Sequence, residues 1–203
     1  MRSSLGGGPA PIVRLGVRSC RVPNEASADA SIPGTAWAPT LIGDRIVLRA
    51  VRPDDVADIV DISVYDGVTA TNEAEALAML RRIEADADRG ETVHWGVCLA
   101  GSDVVIGTIG FYRGFADGTG EVGYVLRAPF RRRGLMREAL ALAVAHGFGP
   151  LGLATVKART APDNAASIGL LGRLGFALQP SEDAFLTFVL RSDPAPITVR
   201  PRG

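Results

Sequence analysis

The spacing of apolar and polar residues between positions 46 and 190 changes repeatedly between the period of a strand and the period of a helix. Residues 46–51 alternate and predict a strand. Pro53, Asp54 and Asp55 then open a helix, since proline and acids suit a first turn. The apolar stripe predicted for this first helix is Val56, Ile59, Val60 and Val64.

A second helix is predicted over residues 71–89, with Thr71 or Asn72 as its cap and Gly90 as its end. Its amphipathic stripe is predicted to be Ala74, Leu77, Ala78, Leu80 and Ile83. Two strands follow at 93–100 and 104–112, and the turn Gly101-Ser102-Asp103 joins them as a hairpin.

The next predicted strand is 121–127, and a helix starts after Gly134 and reaches residue 148. A strand at 154–159, a short helix capped by Asp163-Asn164, and strands at 176–178 and 185–190 complete the pattern. This order predicts an α/β (α+β) fold with a mixed sheet of about six to seven strands and about four covering helices.

The two ends of the chain lack this periodicity. Residues 1–40 are rich in Pro and Gly and are predicted to be a disordered extension, since they cannot bury enough apolar surface to offset their ordering entropy. This extension lacks the pattern of a signal peptide, and a true start near Ala38 is an alternative. The predicted domain spans 42–190, and residues 191–203 form a proline-containing tail.

Composition narrows the function classes. The chain has 203 residues, 47% of them apolar, and a formal net charge of zero, which gives no case for a nucleic-acid or membrane partner. No apolar run reaches the roughly 20 residues of a membrane span. Cys20 and Cys98 stand far apart, so we expect no disulfide framework and a cytoplasmic location.

The sequence offers no convincing dinucleotide, phosphate-loop or metal motif. Residues 147–152 match G-x-G-x-x-G but follow a helix, whereas a dinucleotide fingerprint follows a strand, so we interpret them as a helix end and a turn. A phosphate-loop Lys-Ser/Thr pair is absent. His94 and His146 have no second ligand at metal spacing, so no metal site is predicted. We expect His94 to be a strand residue beside Trp95, and His146 to lie on the surface near a helix end.

The stretch that leads into the 134–148 helix is basic. Arg131, Arg132 and Arg133 precede Gly134, which permits close approach of a ligand to the backbone. A helix N-terminus has free N–H groups and a positive dipole end, and guanidinium groups match phosphate oxygens. The pattern therefore predicts a diphosphate site, with a solvated basic turn as the alternative.

Three pieces of sequence then carry a family resemblance: the Glu121 strand, the run Arg131 to Met136, and Asn164-Ala-Ala-Ser167 followed by Leu174-Gly175-Phe176. Together, over residues 42–190, they resemble a GNAT-fold N-acetyltransferase of the RimJ/RimL-like branch, which acetylates ribosomal-protein N-termini. The family's Q/R-x-x-G-x-G/A loop is matched at Arg131 and Gly134. Met136 stands where the family usually has a small residue.

The resemblance implies a sheet splayed between its fourth and fifth strands, with the pantetheine arm of acetyl-CoA in the gap. Backbone groups along the fourth strand would pair with that arm, and one N–H would polarise the thioester carbonyl. The cofactor-binding residues implied are Tyr124, Val125, Leu126, Arg127, Arg131, Arg132, Arg133, Gly134, Leu135, Met136, Arg137 and Asn164. For Asn164 the alternative is a helix cap, and both roles can hold together.

Two catalytic residues are implied by the same resemblance. Glu121 stands where relatives have a glutamate base that deprotonates the amine; its alternative is a structural carboxylate paired with an arginine. Ser167 stands where relatives have a serine that protonates the leaving thiolate; its alternative is a first-turn residue bonded to its own backbone.

The expected function is an acetyl-CoA-dependent transfer of an acetyl group to a primary amine, with a protein N-terminal α-amine as the leading acceptor and no metal. Acetylation of a small amine, such as an aminoglycoside or a polyamine, is one alternative, and a non-catalytic acyl-CoA-binding module is another. We expect the acceptor pocket to be built from residues 53–90 and the final strands. The sequence does not decide whether the protein forms a homodimer.

Overall fold

The computed structural model describes residues 38–65, 67–180 and 184–192. Nearly all of the extension predicted over 1–40, and all but the first two residues of the tail predicted over 191–203, lie outside these described residues.

Within the described residues, eight strands form one mixed sheet. The strands are β1 (Leu41–Ile42), β2 (Ile46–Arg49), β5 (Val93–Leu99), β6 (Val105–Tyr112), β7 (Thr119–Leu126), β8 (Thr155–Thr160), β9 (Ala177–Gln179) and β10 (Leu186–Arg191). Their order across the sheet is β1-β2-β5-β6-β7-β8-β10-β9, and only the β7–β8 pair is parallel. A separate hairpin consists of β3 (Val64–Tyr65) and β4 (Val68–Thr69).

Four α-helices cover the two faces of the sheet: α1 (Val56–Ile59), α2 (Glu73–Asp88), α3 (Leu135–Phe148) and α4 (Ala165–Arg173). Helices α3 and α4 bury apolar side chains on one face, around Trp95, Phe111 and Leu140. Helices α1 and α2 close a second cluster on the other face, around Val51 and Val105. The predicted α/β fold with a mixed sheet and four helices is confirmed. None of the helices in the described part of the chain has the length and apolar character that crossing a bilayer requires.

The helix boundaries follow the predicted signals closely. Asn72 is the N-cap of α2, where its side chain accepts a hydrogen bond from the Glu75 amide at 3.0 Å. Gly90, at φ 73°, follows the helix in the left-handed conformation that glycine adopts without strain. The hairpin turn between β5 and β6 contains Gly101 at φ 81°, as its sequence predicts.

The first predicted helix is wrong at its C-terminal end. It is a short α1 flanked by 3₁₀ turns at Pro53–Asp55 and Val60–Ile62. The Ser63 hydroxyl donates to the Ile59 carbonyl at 2.8 Å and the chain then becomes extended, so Val64 lies in β3 with 53% of its surface exposed. Val64 thus matches the helical spacing of the apolar residues before it, although it belongs to the hairpin.

Two burial predictions are also wrong. The stripe of α2 that faces the core is Ala76, Leu80 and Ile83, whereas Ala74 and Ala78 are exposed. His146 is buried rather than on the surface, because α3 packs on the sheet where the Trp95 ring meets the imidazole edge-on at 5.4 Å. Burial also lowers the pKa of His146.

The sheet opens at its centre. Strand β7 pairs with β8 only over Thr119–Glu121, opposite residues 155–157. Beyond that point β7 continues along β6 as far as Leu126, while β8 continues along β10 as far as Thr160. The two parallel strands therefore diverge, which confirms the predicted splay between the fourth and fifth predicted strands. We call the space between them the wedge.

Candidate active site

The wall of the wedge on the β7 side is a strand edge that has no strand partner among the described residues. Residues 122–126 pair with β6 on one edge only, so their other edge offers N–H and C=O groups to a ligand. Tyr124, Val125 and Leu126 lie on this edge. The edge ends where Arg127 donates its amide to the Ile106 carbonyl at 2.9 Å and the Arg131 Nε donates to the Leu126 carbonyl at 2.7 Å.

The N-terminus of α3 lies directly after this edge. Gly134 is its N-cap, with φ 77° and ψ 1°, and none of the described side chains caps the first turn. The N–H groups that a capping side chain would occupy thus remain available to an anion. A residue with a Cβ would be strained in this left-handed conformation, which explains the glycine.

A clamp that the sequence analysis missed holds this turn in place. Arg45, in the turn before β2, donates from its guanidinium to the Arg133 carbonyl at 3.1 Å. Its amide and its Nε donate to the two carboxylate oxygens of Glu138, at 2.8 and 3.1 Å. Arg45 and Glu138 are 93 positions apart, so no local pattern could indicate the contact.

The arginines of the loop have different environments. Arg131 is anchored to the end of β7, Arg132 has a positive φ of 59°, and the guanidinium of Arg133 lies over the Phe130 ring at 5.9 Å. All three are exposed, as is Arg137 on the first turn of α3. The loop therefore presents several cations beside the free N–H groups, as a diphosphate site requires.

Leu135 and Met136 differ from the other residues predicted to bind the cofactor. Both side chains are buried in the core, with 3% and 8% of their surface exposed. Only their main chain lies at the loop. The bulk of Met136, at a position where the family usually has a small residue, is thus accommodated inside the protein and leaves the helix N-terminus open.

Helix α4 supplies the opposite wall of the wedge. Asn164 is its N-cap and accepts the Ser167 amide at 3.1 Å, so the capping role considered for Asn164 is present. The Ser167 side chain lies near the Tyr124 phenol across the wedge. Burial raises the pKa of Tyr124, and the nearby Ser167 side chain opposes that rise. The structure thus brings Ser167 together with the free edge of β7.

Glu121 lies at the closed end of the wedge, in the last pair between β7 and β8. Its Oε1 accepts from Arg113 at 2.8 Å, and its Oε2 lies 3.2 Å from the Lys157 Nζ. The pairing with an arginine that we considered as the structural alternative is therefore present, and a lysine adds to it. Lys157 was not among the predicted residues, although its strand was.

A cavity of about 890 Å³ joins the wedge to the surface. One wall contains Glu121, Gly123, Tyr124 and Val125 of β7, and the other walls come from the β3–β4 hairpin, α2, the segment that leads into β5, and β6. We expected residues 53–90 to help form the acceptor pocket, and the lining of this cavity is consistent with that expectation. The expectation for the final strands is not met, because no described residue of β9 or β10 lines the cavity; these strands lie beyond β8, on the far side of the wedge.

Tyr112 forms part of the floor of this cavity. Its ring lies flat on the sheet across two glycines, where a Cβ at Gly110 would come within 2.9 Å of the Tyr112 hydroxyl and one at Gly123 within 3.2 Å of the ring. Burial raises the pKa of Tyr112, so the phenol stays protonated and serves as a hydrogen-bond donor. His94 packs beside it, with 6.0 Å between the ring centroids.

Comparison with known proteins fits this geometry. A family model described as an acetyltransferase (GNAT) domain matches residues 45–177. The chain belongs to the GNAT acetyltransferase family. It is 30% identical over 146 residues to the uncharacterized N-acetyltransferase YoaA of Bacillus subtilis, an alignment that covers 68% of this chain and 82% of YoaA.

Two solved structures share the fold. A putative ribosomal-protein-serine acetyltransferase from Vibrio cholerae has a TM-score of 0.66 at 18% identity, covering 77% of this chain and 99% of that one. Mycobacterium smegmatis RimJ in complex with CoA-disulfide has a TM-score of 0.65 at 19% identity, covering 77% and 88%. As a GNAT acetyltransferase, this chain is an acetyl-CoA-dependent N-acetyltransferase. Among the described residues, no group of three or more His, Cys, Asp or Glu could hold a metal ion.

Proposed function

We propose that the protein transfers the acetyl group of acetyl-CoA to the N-terminal α-amine of a protein. The observation that carries this proposal is the cavity, which runs from the free edge of β7 to an exposed rim of side chains. At about 890 Å³ it is at the upper end of the range for small-molecule pockets, and it suits the end of a polypeptide entering from solvent. The ribosomal-protein acetyltransferases with the same fold support the same choice.

The residues along the wedge fit acetyl-CoA, whose thioester supplies the activated acyl group. The first-turn N–H groups of α3, with Arg131, Arg132, Arg133 and Arg137, bind the diphosphate. The free main-chain groups of Tyr124, Val125 and Leu126 pair with the amide-bearing arm as a neighbouring strand would. An N–H of this edge also stabilises the negative charge that develops on the carbonyl oxygen.

The acyl transfer forms a bond from the amine nitrogen to the carbonyl carbon and breaks the bond from that carbon to sulfur. One proton must leave the nitrogen, and one must reach the sulfur. We assign Glu121 to receive the first, directly or through water, because it lies where the wedge meets the cavity. Its ion pairs with Arg113 and Lys157 hold the carboxylate at this place.

We assign Ser167 to donate the second proton, since its hydroxyl faces the wedge. An aliphatic alcohol is a much weaker acid than a phenol. Tyr124, whose phenol lies near Ser167, is therefore placed to return a proton to the serine as its own leaves. Asn164 holds the first turn of α4 and so fixes the position of Ser167.

A direct test measures release of free thiol with a panel of acceptors: peptides with free N-termini, the same peptides acetylated in advance, a polyamine and an aminoglycoside. We expect turnover with the free peptides, and mass spectrometry should locate the new acetyl group on the α-amine. Turnover confined to the polyamine or the aminoglycoside would contradict the proposal in favour of a small-molecule acceptor.

A further inference from the structure

Three arginines line the outer part of the acceptor cavity. Arg82 lies in α2, Arg89 is the C-cap of that helix, and Arg113 directly follows β6. We call Arg82, Arg89 and Arg113 the arginine rim. Arg113 lies on a different element from Arg82 and Arg89, and the fold brings all three to the lining of one cavity, which also contains Glu121.

The carboxylates that pair with Arg89 and Arg113 also line the cavity, but two of the three are less exposed than the arginines. Arg113 has 56% of its side chain exposed, whereas its partner Glu121 has 16%. Arg89 has 55% exposed, whereas its partner Asp86 has 18%; the second partner, Glu91, at 3.0 Å, is itself exposed. In the pairs with Glu121 and Asp86 the guanidinium group is therefore the more accessible member.

Arg82 adds a cation of a different kind. Its guanidinium stacks over the Tyr65 ring at 4.8 Å, and no carboxylate within the described residues forms an ion pair with it. A guanidinium stacked on an aromatic ring keeps its N–H donors at the edge, where they can bind a carboxylate in a bidentate manner.

The rim is held in position before any acceptor arrives. Arg113 has a positive φ of 68°, which is unfavourable for a residue other than glycine. The next amide, that of Gly114, donates to the Glu91 carbonyl at 2.9 Å, and so ties the Arg113 turn to the segment beside Arg89. The Tyr65 hydroxyl donates to Asp86, which in turn pairs with Arg89. Such fixed donors lose little entropy on binding.

We propose that the arginine rim binds a carboxylate carried by the acceptor, so that the preferred substrate is a protein N-terminus followed closely by Asp or Glu. This inference rests on the proposed function and names its substrate class. The α-amine passes into the cavity toward Glu121, while the acidic side chains of the following residues pair with Arg82, Arg89 and Arg113. The same rim disfavours polyamines and aminoglycosides, which carry only positive charge.

The test uses pairs of acceptors that share the reacting amine and differ in the charge that follows it. One pair is a short peptide with two glutamates after its first residue, and the same peptide with two lysines. The other pair is a small amine that bears a carboxylate, and a diamine of similar length. We expect kcat/KM to favour the acidic member of each accepted pair by about tenfold at low salt, and less at high salt, because exposed charge pairs are screened.

Arg82→Glu and Arg81→Glu provide matched variants. They are adjacent exposed residues of α2 and change the net charge equally, but only Arg82 lines the cavity. Arg82→Glu should abolish or reverse the acidic preference, whereas Arg81→Glu should leave it at the level of the unmodified protein. Circular dichroism and the melting temperature of both variants check that α2 is intact.

The outcomes separate the two proposals. Acidic preference among small amines, with no peptide turned over, would refute the protein acceptor and keep the rim assignment. Peptide turnover without an acidic preference, or equal effects of the two variants, would overturn the rim assignment and leave the proposed function standing. Absence of turnover with every acidic acceptor would count against both.

Discussion

If His94 is replaced by glutamine, the protein should lose less stability in mild acid than the unmodified protein does. The side chain of His94 lies on β5, between the sheet and the α1–α2 layer, where burial lowers its pKa from 6.5 to about 4. A small cavity beside it is lined mainly by apolar side chains, and among its lining residues Tyr112 is the only other titratable group. Desolvation is therefore the cause of the shift, and no charged group in the described part of the chain contributes to it.

The magnitude follows from linkage. In the folded protein His94 is neutral above about pH 4, while in the unfolded chain it takes up a proton below 6.5. The unfolded state therefore binds more protons between these values, and the stability falls as the pH falls through this window. Between pH 7.5 and 5 the imidazole alone accounts for a loss of up to about 2 kcal/mol, from 1.36 kcal/mol for each pKa unit.

The assay is urea unfolding of both proteins at several pH values. All other titrating groups, including His146, are common to the two proteins and cancel in the difference. We expect the difference in free energy of unfolding between the unmodified protein and the variant to shrink by up to about 2 kcal/mol on going from pH 7.5 to 5. Parallel pH profiles would show that solvent reaches His94 freely and that the desolvation argument is wrong.

Three substitutions test the residues assigned to coenzyme and catalysis. Gly134→Val places a branched residue at φ 77°, at a cost of about 1–2 kcal/mol, and should weaken acetyl-CoA binding about tenfold; normal affinity by titration calorimetry would contradict the phosphate site. Ser167→Ala should lower kcat by about 10²-fold with little change in the KM for acetyl-CoA, and unchanged turnover would remove Ser167 as the acid. Glu121→Gln should reduce activity most at low pH if Glu121 is the base, because the amine is then protonated; an equal effect at all pH values would support a purely structural role.

The sequence predicted the elements that carry a long period. Strands β5 to β8 and helices α2, α3 and α4 all form within a few residues of their expected bounds. Strand β1 and the β3–β4 hairpin were missed, because two residues cannot display an alternation. The sequence predicted a surface position for His146 because the side chain is polar and lies near a helix end. In the structure the imidazole is instead buried, and it packs edge-on against the Trp95 ring.

The candidate site divides in the same way. Gly134, Asn164, Ser167 and Glu121 could be proposed from the sequence because each belongs to a short motif that carries the family resemblance. The Arg45–Glu138 clamp and the arginine rim were not, since their members come together only when the sheet forms. An isolated arginine in a sequence gives no sign of which cavity it will face.

The divergence of β7 from β8 has a consequence for the apo enzyme. The parallel part of the sheet is joined across only three residue pairs, so the two halves of the molecule share a short seam. If the coenzyme pairs with β7 as we propose, it acts as the missing strand of the sheet. Binding of acetyl-CoA and completion of the sheet would then be one thermodynamic event, and the coenzyme concentration would govern how rigid this enzyme is.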